Sequence, residues 1–199
     1  MAAFVIGIAG GSASGKSTLA QQLRERLAPL RVSIMNQDRY FHSDQQMPRH
    51  ASPDGARVWP DHNHPDSFDF ACLRSDLETA REGPDDVVIV EGILVLHASE
   101  LRELMDVRLF VEADADERIV RRIRRNLARG LGIDEICDFY LESVRFRHRE
   151  FCEPTREHAD LVIPGGQHKV AEAGSLLDRV CQQVRAAAAG AERQSPGRT

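Results

Sequence analysis

Residues 4–18 read FVIGIAGGSASGKST, and this stretch decides the fold. Phe4–Ala9 is a short apolar run without polar alternation, the pattern of a strand covered on both faces. Gly10, Gly15, Lys16 and Ser17 then satisfy the spacing GxxxxGK[ST], and Leu19, Leu23 and Leu27 recur at helical intervals behind it. Glycines let successive backbone N–H groups curl toward one point, and the following helix aims its positive N-terminus at the same place. The expected occupant is the phosphate chain of a nucleoside triphosphate. Lys16 would add a point charge at the β/γ-phosphates, and the Ser17 hydroxyl would serve as a magnesium ligand. The nucleotide-binding set expected here is Gly10, Gly11, Ser12, Ala13, Ser14, Gly15, Lys16, Ser17 and Thr18.

Outward from this loop, short apolar runs alternate with longer helical patterns. The expected strands are Phe4–Ala9, Val32–Asn36, Val87–Val90, Val107–Val111 and Leu161–Ile163. The expected helices cover Ser17–Leu27, Phe68–Arg81, Ser99–Met105, Ala115–Arg129 and Asp134–Phe151. A last helix starts near Lys169, with Val170, Ala173, Leu177, Val180 and Val184 on one stripe. Such alternation predicts an α/β fold, a parallel sheet sandwiched between helical layers. Asp114 with Glu117 three residues on is a capping-box variant. Phe41–Pro65 has little periodicity, and a loop of that length in a compact domain is expected to be functional. Residues 1–189 read as one domain with a lid at about 118–133, and 190–199 as a small, polar, disordered tail.

The 199 residues carry 26 Lys+Arg against 31 Asp+Glu, a net charge of −5. That balance argues against a general nucleic-acid or membrane-surface binder, which anionic partners would repel. No apolar run has the roughly 18 residues needed to span a bilayer. Cys72, Cys137, Cys152 and Cys181 are scattered without a CxxC pair, as expected of free thiols in a reducing, cytoplasmic setting.

Ligands of open α/β sheets sit beyond the carboxyl ends of the strands. Asp38, in MNQDRYF, and Glu91, in VVIVEG, both fall there. Transfer of a phosphoryl group to an alcohol needs charge neutralisation, alignment and an acceptor for the hydroxyl proton. Asp38 is the candidate proton acceptor. Glu91 is the candidate to hold a magnesium-bound water or orient the acceptor. Segment 118–129 holds six arginines and no acid. Arg118, Arg121, Arg122, Arg125 and Arg129 share one helical arc, with Ile119, Val120, Ile123 and Leu127 opposite and expected to pack on the sheet. Guanidinium forks suit phosphate oxygens, so the segment reads as a lid over them, with Arg122 and Arg125 catalytic and Arg121 and Arg129 nucleotide-binding.

Taken in order, GIAGGSASGKST, QDRYF, NHPDSFDF, VVIVEGILVL, RRIRRN and FCEPTREHADLVIPGG resemble the uridine kinase family over most of residues 4–166. The resemblance implies a P-loop NTPase core, a five-stranded parallel sheet of order 2-3-1-4-5, ATP (in some members GTP) as donor, Mg²⁺, and the 5′-hydroxyl of uridine or cytidine as acceptor. It implies that Asp38 is the catalytic base, that Lys16 and Ser17 hold phosphate and magnesium, and that Arg121, Arg122 and Arg125 are lid arginines. It also allows a homo-oligomer.

Three departures bear on the acceptor. The family's FDHPDAFD places an Asp on the ribose hydroxyls where this chain has Asn63, preceded by His62, with Asp61 as the available substitute. The family's pyrimidine-embracing β-hairpin has no room between Phe70 and Asp86. The lid motif is one residue shorter, with Asn126 for Asp and Leu131 for its last Arg. Asp38, Tyr40, Asp61, His62, Asn63 and Glu91 are therefore the expected acceptor-binding residues. Related kinases of the same core act on nicotinamide riboside, phosphoribulose, pantothenate or glycerate, and an ATP-binding switch that phosphorylates nothing is the non-enzyme alternative. Trp59, like Tyr40, could stack on a ring. Asp61, His62 and His64 lack the third distant ligand a zinc site needs. His148, among Arg145, Arg147 and Arg149, reads as a solvated basic face, and Cys72 and Cys152 as packing residues.

Overall fold

The computed structural model describes residues 2–51, 55, 57–166 and 170–193. Five parallel strands form the sheet: β1 (Phe4–Gly10), β2 (Val32–Asn36), β5 (Val87–Glu91), β6 (Val107–Glu112) and β7 (Leu161–Pro164). They lie in the order β2-β5-β1-β6-β7. Counted among themselves in chain order, that is 2-3-1-4-5, as the resemblance implies. Register aligns Ile8 and Asn36 with Glu91, and Gly10 with Val111, so the phosphate loop leaves the sheet beside the end of β5.

Strand residues alternate between two cores. One side buries Ile6, Ile8, Val87 and Ile89 against α1 (Lys16–Leu27) and α7 (Val170–Arg193). The other buries Val5, Ala9, Val88 and Val90 against Leu73 and Leu77 of α2 (Phe70–Arg81) and Leu101 of the short α3 (Ser99–Arg102). Each fully buried aliphatic side chain contributes roughly 1.5–3 kcal/mol relative to exposure. The α/β layering follows directly from strands apolar on both faces. The helix α7 continues through Arg193, past the tail expected from Gly190; residues 194–199 lie outside the described residues.

Several expectations change. The loop Phe41–Pro65 contains a small antiparallel hairpin, β3 (Arg49–Ala51) with β4 (Val58–Pro60). The helix α4 (Ala115–Leu127) has Asp114 at its N-cap, but no side-chain cap bond forms there, and Glu117 pairs with Arg121 instead. Its apolar stripe does not lie on the sheet: Val120 is 46% and Leu127 45% exposed, while Arg118 and Asn126 are the buried residues. A helical wheel shows that two faces differ, not which one turns inward. Polar backbone at the phosphate loop draws the arginine face in. The helix expected over Asp134–Phe151 is α5 (Ile133–Phe139), followed by a π-turn at Tyr140–Val144, α6 (Arg145–Arg147) and a second π-turn at His148–Cys152. Each widened turn offsets the helix face. As a result Val144, Arg147, His148 and Cys152 share a small cavity with Gly11 and Ser12.

Candidate active site

A cleft of about 820 Å³ opens beyond the carboxyl ends of β1, β2 and β5. Its floor is the loop Ser12–Ser17. Gly10 has φ +142°, and a Cβ there would overlap the Val111 carbonyl oxygen, so only glycine lets β1 turn out this close to β6. Ala13, at φ +64°, and Gly15, at φ +109°, make two further left-handed steps on the way into α1. The Lys16 Nζ donates to the Gly11 carbonyl at 3.0 Å. Burial pulls the Lys16 pKa below its ordinary value, against the attraction of Glu91.

Ser17 Oγ donates to Glu91 Oε1 at 2.9 Å, and Asn36 Nδ2 donates to the same oxygen at 2.7 Å. Burial pushes the Glu91 carboxyl above its usual range, with Lys16 and the Ser17 bond pulling it back. Asp38 lies on the short 3₁₀ turn Gln37–Tyr40, whose start is capped by Asn36 Oδ1 accepting from the Asp38 N–H at 2.7 Å. Its carboxylate is exposed and faces the cleft. The buried Gln37 accepts from the Leu94 N–H at 2.9 Å, tying the Asp38 turn to the segment after Glu91. Asn36 carries the same strand-end signal that singles out Glu91. Gln37 has no such mark in the sequence.

From α4, Arg122 and Arg125 both donate to Ser12 Oγ, at 3.1 and 3.2 Å. Arg121 donates to the Gly165 carbonyl at 3.0 Å and pairs with Glu117 at 2.9 Å, which places it against the loop backbone. Arg129 lines the cleft. Burial, with Arg125 adjacent, lowers the Arg122 pKa to about 10. Its Nε and the Ser14 hydroxyl are buried without partners. Two guanidiniums converging on one hydroxyl, with a buried donor left over, fit a polyanion between α4 and the loop. The Ser17 hydroxyl and Glu91 carboxylate are hard oxygen donors of the kind Mg²⁺ takes.

The expected acceptor residues divide. Asp38, His62, Asn63 and Glu91 line the cleft. Asp61 does not: its carboxylate is fully buried, accepting from Arg147 Nε at 2.7 Å and from the Asn63 N–H at 3.1 Å. Tyr40 does not either. Its hydroxyl donates to Asp76 of α2 at 2.9 Å, and burial with that carboxylate raises its pKa to about 12. The cleft aromatics are instead Phe41 and Phe139. No sequence periodicity separates them from core aromatics. Trp59 packs edge-on behind Phe139 at 5.8 Å. His148 is a half-buried ring beside the phosphate loop rather than a solvated face, and Cys72 is exposed rather than packed. Among the described residues no three His, Cys, Asp or Glu side chains gather as a metal site, and no helix is long and apolar enough to cross a membrane.

The model of the phosphoribulokinase/uridine kinase family matches residues 74–171. A uridine kinase of Deinococcus deserti is 36% identical, with 92% of this chain and 95% of that protein covered. A uridine kinase of Bacillus subtilis is 38% identical, covering 84% and 89%. The Deinococcus match runs over 207 positions although it covers 92% of these 199 residues, so that relative carries residues this chain does not have. Among solved structures, a putative fructose transport system kinase from Silicibacter superposes with a TM-score of 0.64 at 21% identity, covering 82% of this chain and 90% of that one. A possible uridine kinase from Bacillus stearothermophilus gives 0.54 at 18%, covering 81% and 89%. The chain belongs to the phosphoribulokinase/uridine kinase family, and it is a phosphotransferase whose acceptor is a hydroxyl group.

Proposed function

We propose that the chain transfers the terminal phosphate of ATP to the 5′-hydroxyl of a ribonucleoside, uridine or cytidine. The observation that carries this reading is that Asp38, the loop Ser12–Thr18 and the arginines bonded to Ser12 belong to one cleft. Asp38 accepts the hydroxyl proton of the acceptor. Lys16, Arg122 and Arg125 neutralise the developing charge on the phosphate oxygens. Asn63 and His62 orient the sugar. The arginine helix keeps water from competing with the acceptor hydroxyl. Ser17 and Glu91 would hold Mg²⁺, whose contribution when bound is to neutralise phosphate charge.

A second reading, a kinase for another ribosyl compound, is favoured by two features. The segment between α2 and β5 holds no strand to embrace a pyrimidine, and Asn63 stands where a charged grip on ribose is expected. The test is ADP release against uridine, cytidine, nicotinamide riboside and ribulose 5-phosphate. A nucleoside is expected to rank first, and Asp38→Ala to lose transfer by roughly 10²–10⁴-fold while ATP still binds. Near-normal turnover in that variant would remove Asp38 from its role. A sugar phosphate ranking first would move the assignment to the second reading.

A further inference from the structure

Phe41, His62, Asn63, Ile93 and Phe139 are among the residues that wall the cleft. The hairpin β3–β4 stands directly behind Phe139. The Trp59 ring meets Phe139 edge-on at 5.8 Å, and His50 of β3 stacks on Trp59 at 6.2 Å. Arg57 lies 5.1 Å from the Trp59 ring centroid and pairs with Asp138 at 2.8 Å and Glu142 at 3.5 Å, on the helical segment that carries Phe139. Of these contacts the Trp59 one touches the Phe139 ring itself, and the other four hold Trp59 and the segment around Phe139, where Ile133 and Leu141 remain half-exposed. On the phosphate side, the Arg122 guanidinium packs over the same ring at 5.7 Å. Across the wall, Phe41 stacks on Phe68 at 4.3 Å and meets His62 edge-on at 5.2 Å.

The chemistry of this wall is one-sided. Its residues offer flat or apolar surface, and Asn63 is the one amide among them. The His62 Nδ1 is engaged by the Pro60 carbonyl at 3.1 Å. Such a surface recognises that a ring is present and planar. It holds few groups to read the pattern of donors and acceptors on the ring's edge, which is what discrimination between bases requires.

We propose that Phe139, braced by β3–β4, is the specificity-determining residue of this kinase: it takes the heteroaromatic ring of the acceptor by stacking, demanding a ring and tolerating its identity. The proposal rests on the nucleoside reading above. Because Arg122 leans on the same ring, an acceptor packed there also steadies the arginine that reaches Ser12, coupling ring recognition to the phosphate site.

The test compares kcat/KM for uridine, cytidine and methyl β-D-ribofuranoside, which keeps the primary hydroxyl and the sugar but has no ring. In the wild-type protein the two nucleosides should agree within about threefold and exceed the ringless sugar by ~10–100-fold, the range expected of one base stack. Phe139→Leu should lower the uridine-to-methyl-riboside ratio by about tenfold or more, mainly through KM for the nucleoside, and Phe139→Tyr should restore it. A loss of kcat shared equally by both acceptors, with the ratio unchanged, would assign Phe139 to Arg122 alone and overturn the proposal. Should the Leu variant fail to fold, a wild-type ratio near one overturns it equally. A wild-type protein that phosphorylates neither nucleoside overturns the nucleoside reading and this proposal together; nucleoside turnover with an unmoved ratio overturns only this proposal.

Discussion

Arg147 Nε donates to Asp61 Oδ2 at 2.7 Å, and the Asp61 side chain has no exposed surface. The bond ties the segment before His64-Pro65-Asp66 to the helix turn α6. The other Asp61 oxygen holds the Asn63 N–H, and the Asp61 carbonyl accepts from Ser67 Oγ at 2.5 Å. Asn63 thus faces the cleft from a segment anchored by a buried ion pair.

Removing one partner of such a pair strands the other charge in a dry site. Arg147→Met should lower unfolding free energy by about 3 kcal/mol, the modest end of the usual range because Arg147 keeps 25% side-chain exposure. The double variant Arg147→Met with Asp61→Asn should recover most of that loss. Urea unfolding measures both. Acceptor KM should rise in the single variant more than KM for ATP, since the bonds of Arg147 run to Asp61 and Glu150 and it meets Gly11 and Ser12 only across a small cavity; equal shifts in both would mean the pair only holds the fold together.

Arg122 and Arg125 converge on Ser12 Oγ, and the Arg122 Nε has no partner. A lysine carries the charge but cannot reproduce a planar fork. Arg122→Lys should therefore reduce kcat by on the order of 10²-fold or more with little change in KM for ATP. The exposed Arg124, which does not line the cleft, serves as control: Arg124→Ala should stay within about twofold. Steady-state kinetics with saturating acceptor decide the matter, and rescue by lysine would reduce Arg122 to a simple point charge.

The His148 ring sits where a Cβ on Gly11 would come within 3.0 Å of it, and its Nδ1 is buried without a partner. Burial, then Arg118, Lys16 and Arg149, lower its pKa from 6.5 to about 4. Between those values the unfolded chain binds more protons than the native one, so stability rises with pH. The contribution is complete above about pH 6.5 and is lost as pH falls through about 4. His148→Phe keeps a ring and removes the titration. The stability difference between wild type and variant should change by roughly 3 kcal/mol from pH 7.5 to pH 4. Parallel acid limbs in urea titrations of the two proteins would show that the His148 pKa does not change on folding.

Much of the site is legible in local sequence because its chemistry is local. The phosphate loop needs consecutive residues at one spacing, and Gly10–Thr18 supply them. Asp38 and Glu91 are readable because each stands at or just beyond the end of its strand, and parallel strands end on one edge. Tyr40 and Asp61 show where that logic stops. Both stand within three residues of a cleft residue, yet the partners that draw them away, Asp76 and Arg147, are 36 and 86 positions distant. Phe41 and Phe139 carry no local mark at all. An aromatic residue is a core or a cleft residue according to what faces it, and here that depends on a hairpin docking against α5.

The amino-acid sequence by itself determined the α/β layering, the phosphate loop and the arginine-rich segment, because periodicity and spacing act over a few residues. Only the tertiary structure decided which face of that segment turns inward. Arg122 and Arg125 meet Ser12 more than a hundred positions away, while Val120 and Leu127 are left half-exposed. The reason is physical: a hydrophobic stripe drives a helix onto whatever apolar surface is within reach, but the phosphate loop offers hydroxyl and carbonyl oxygens, and guanidiniums satisfy those better than methyl groups do.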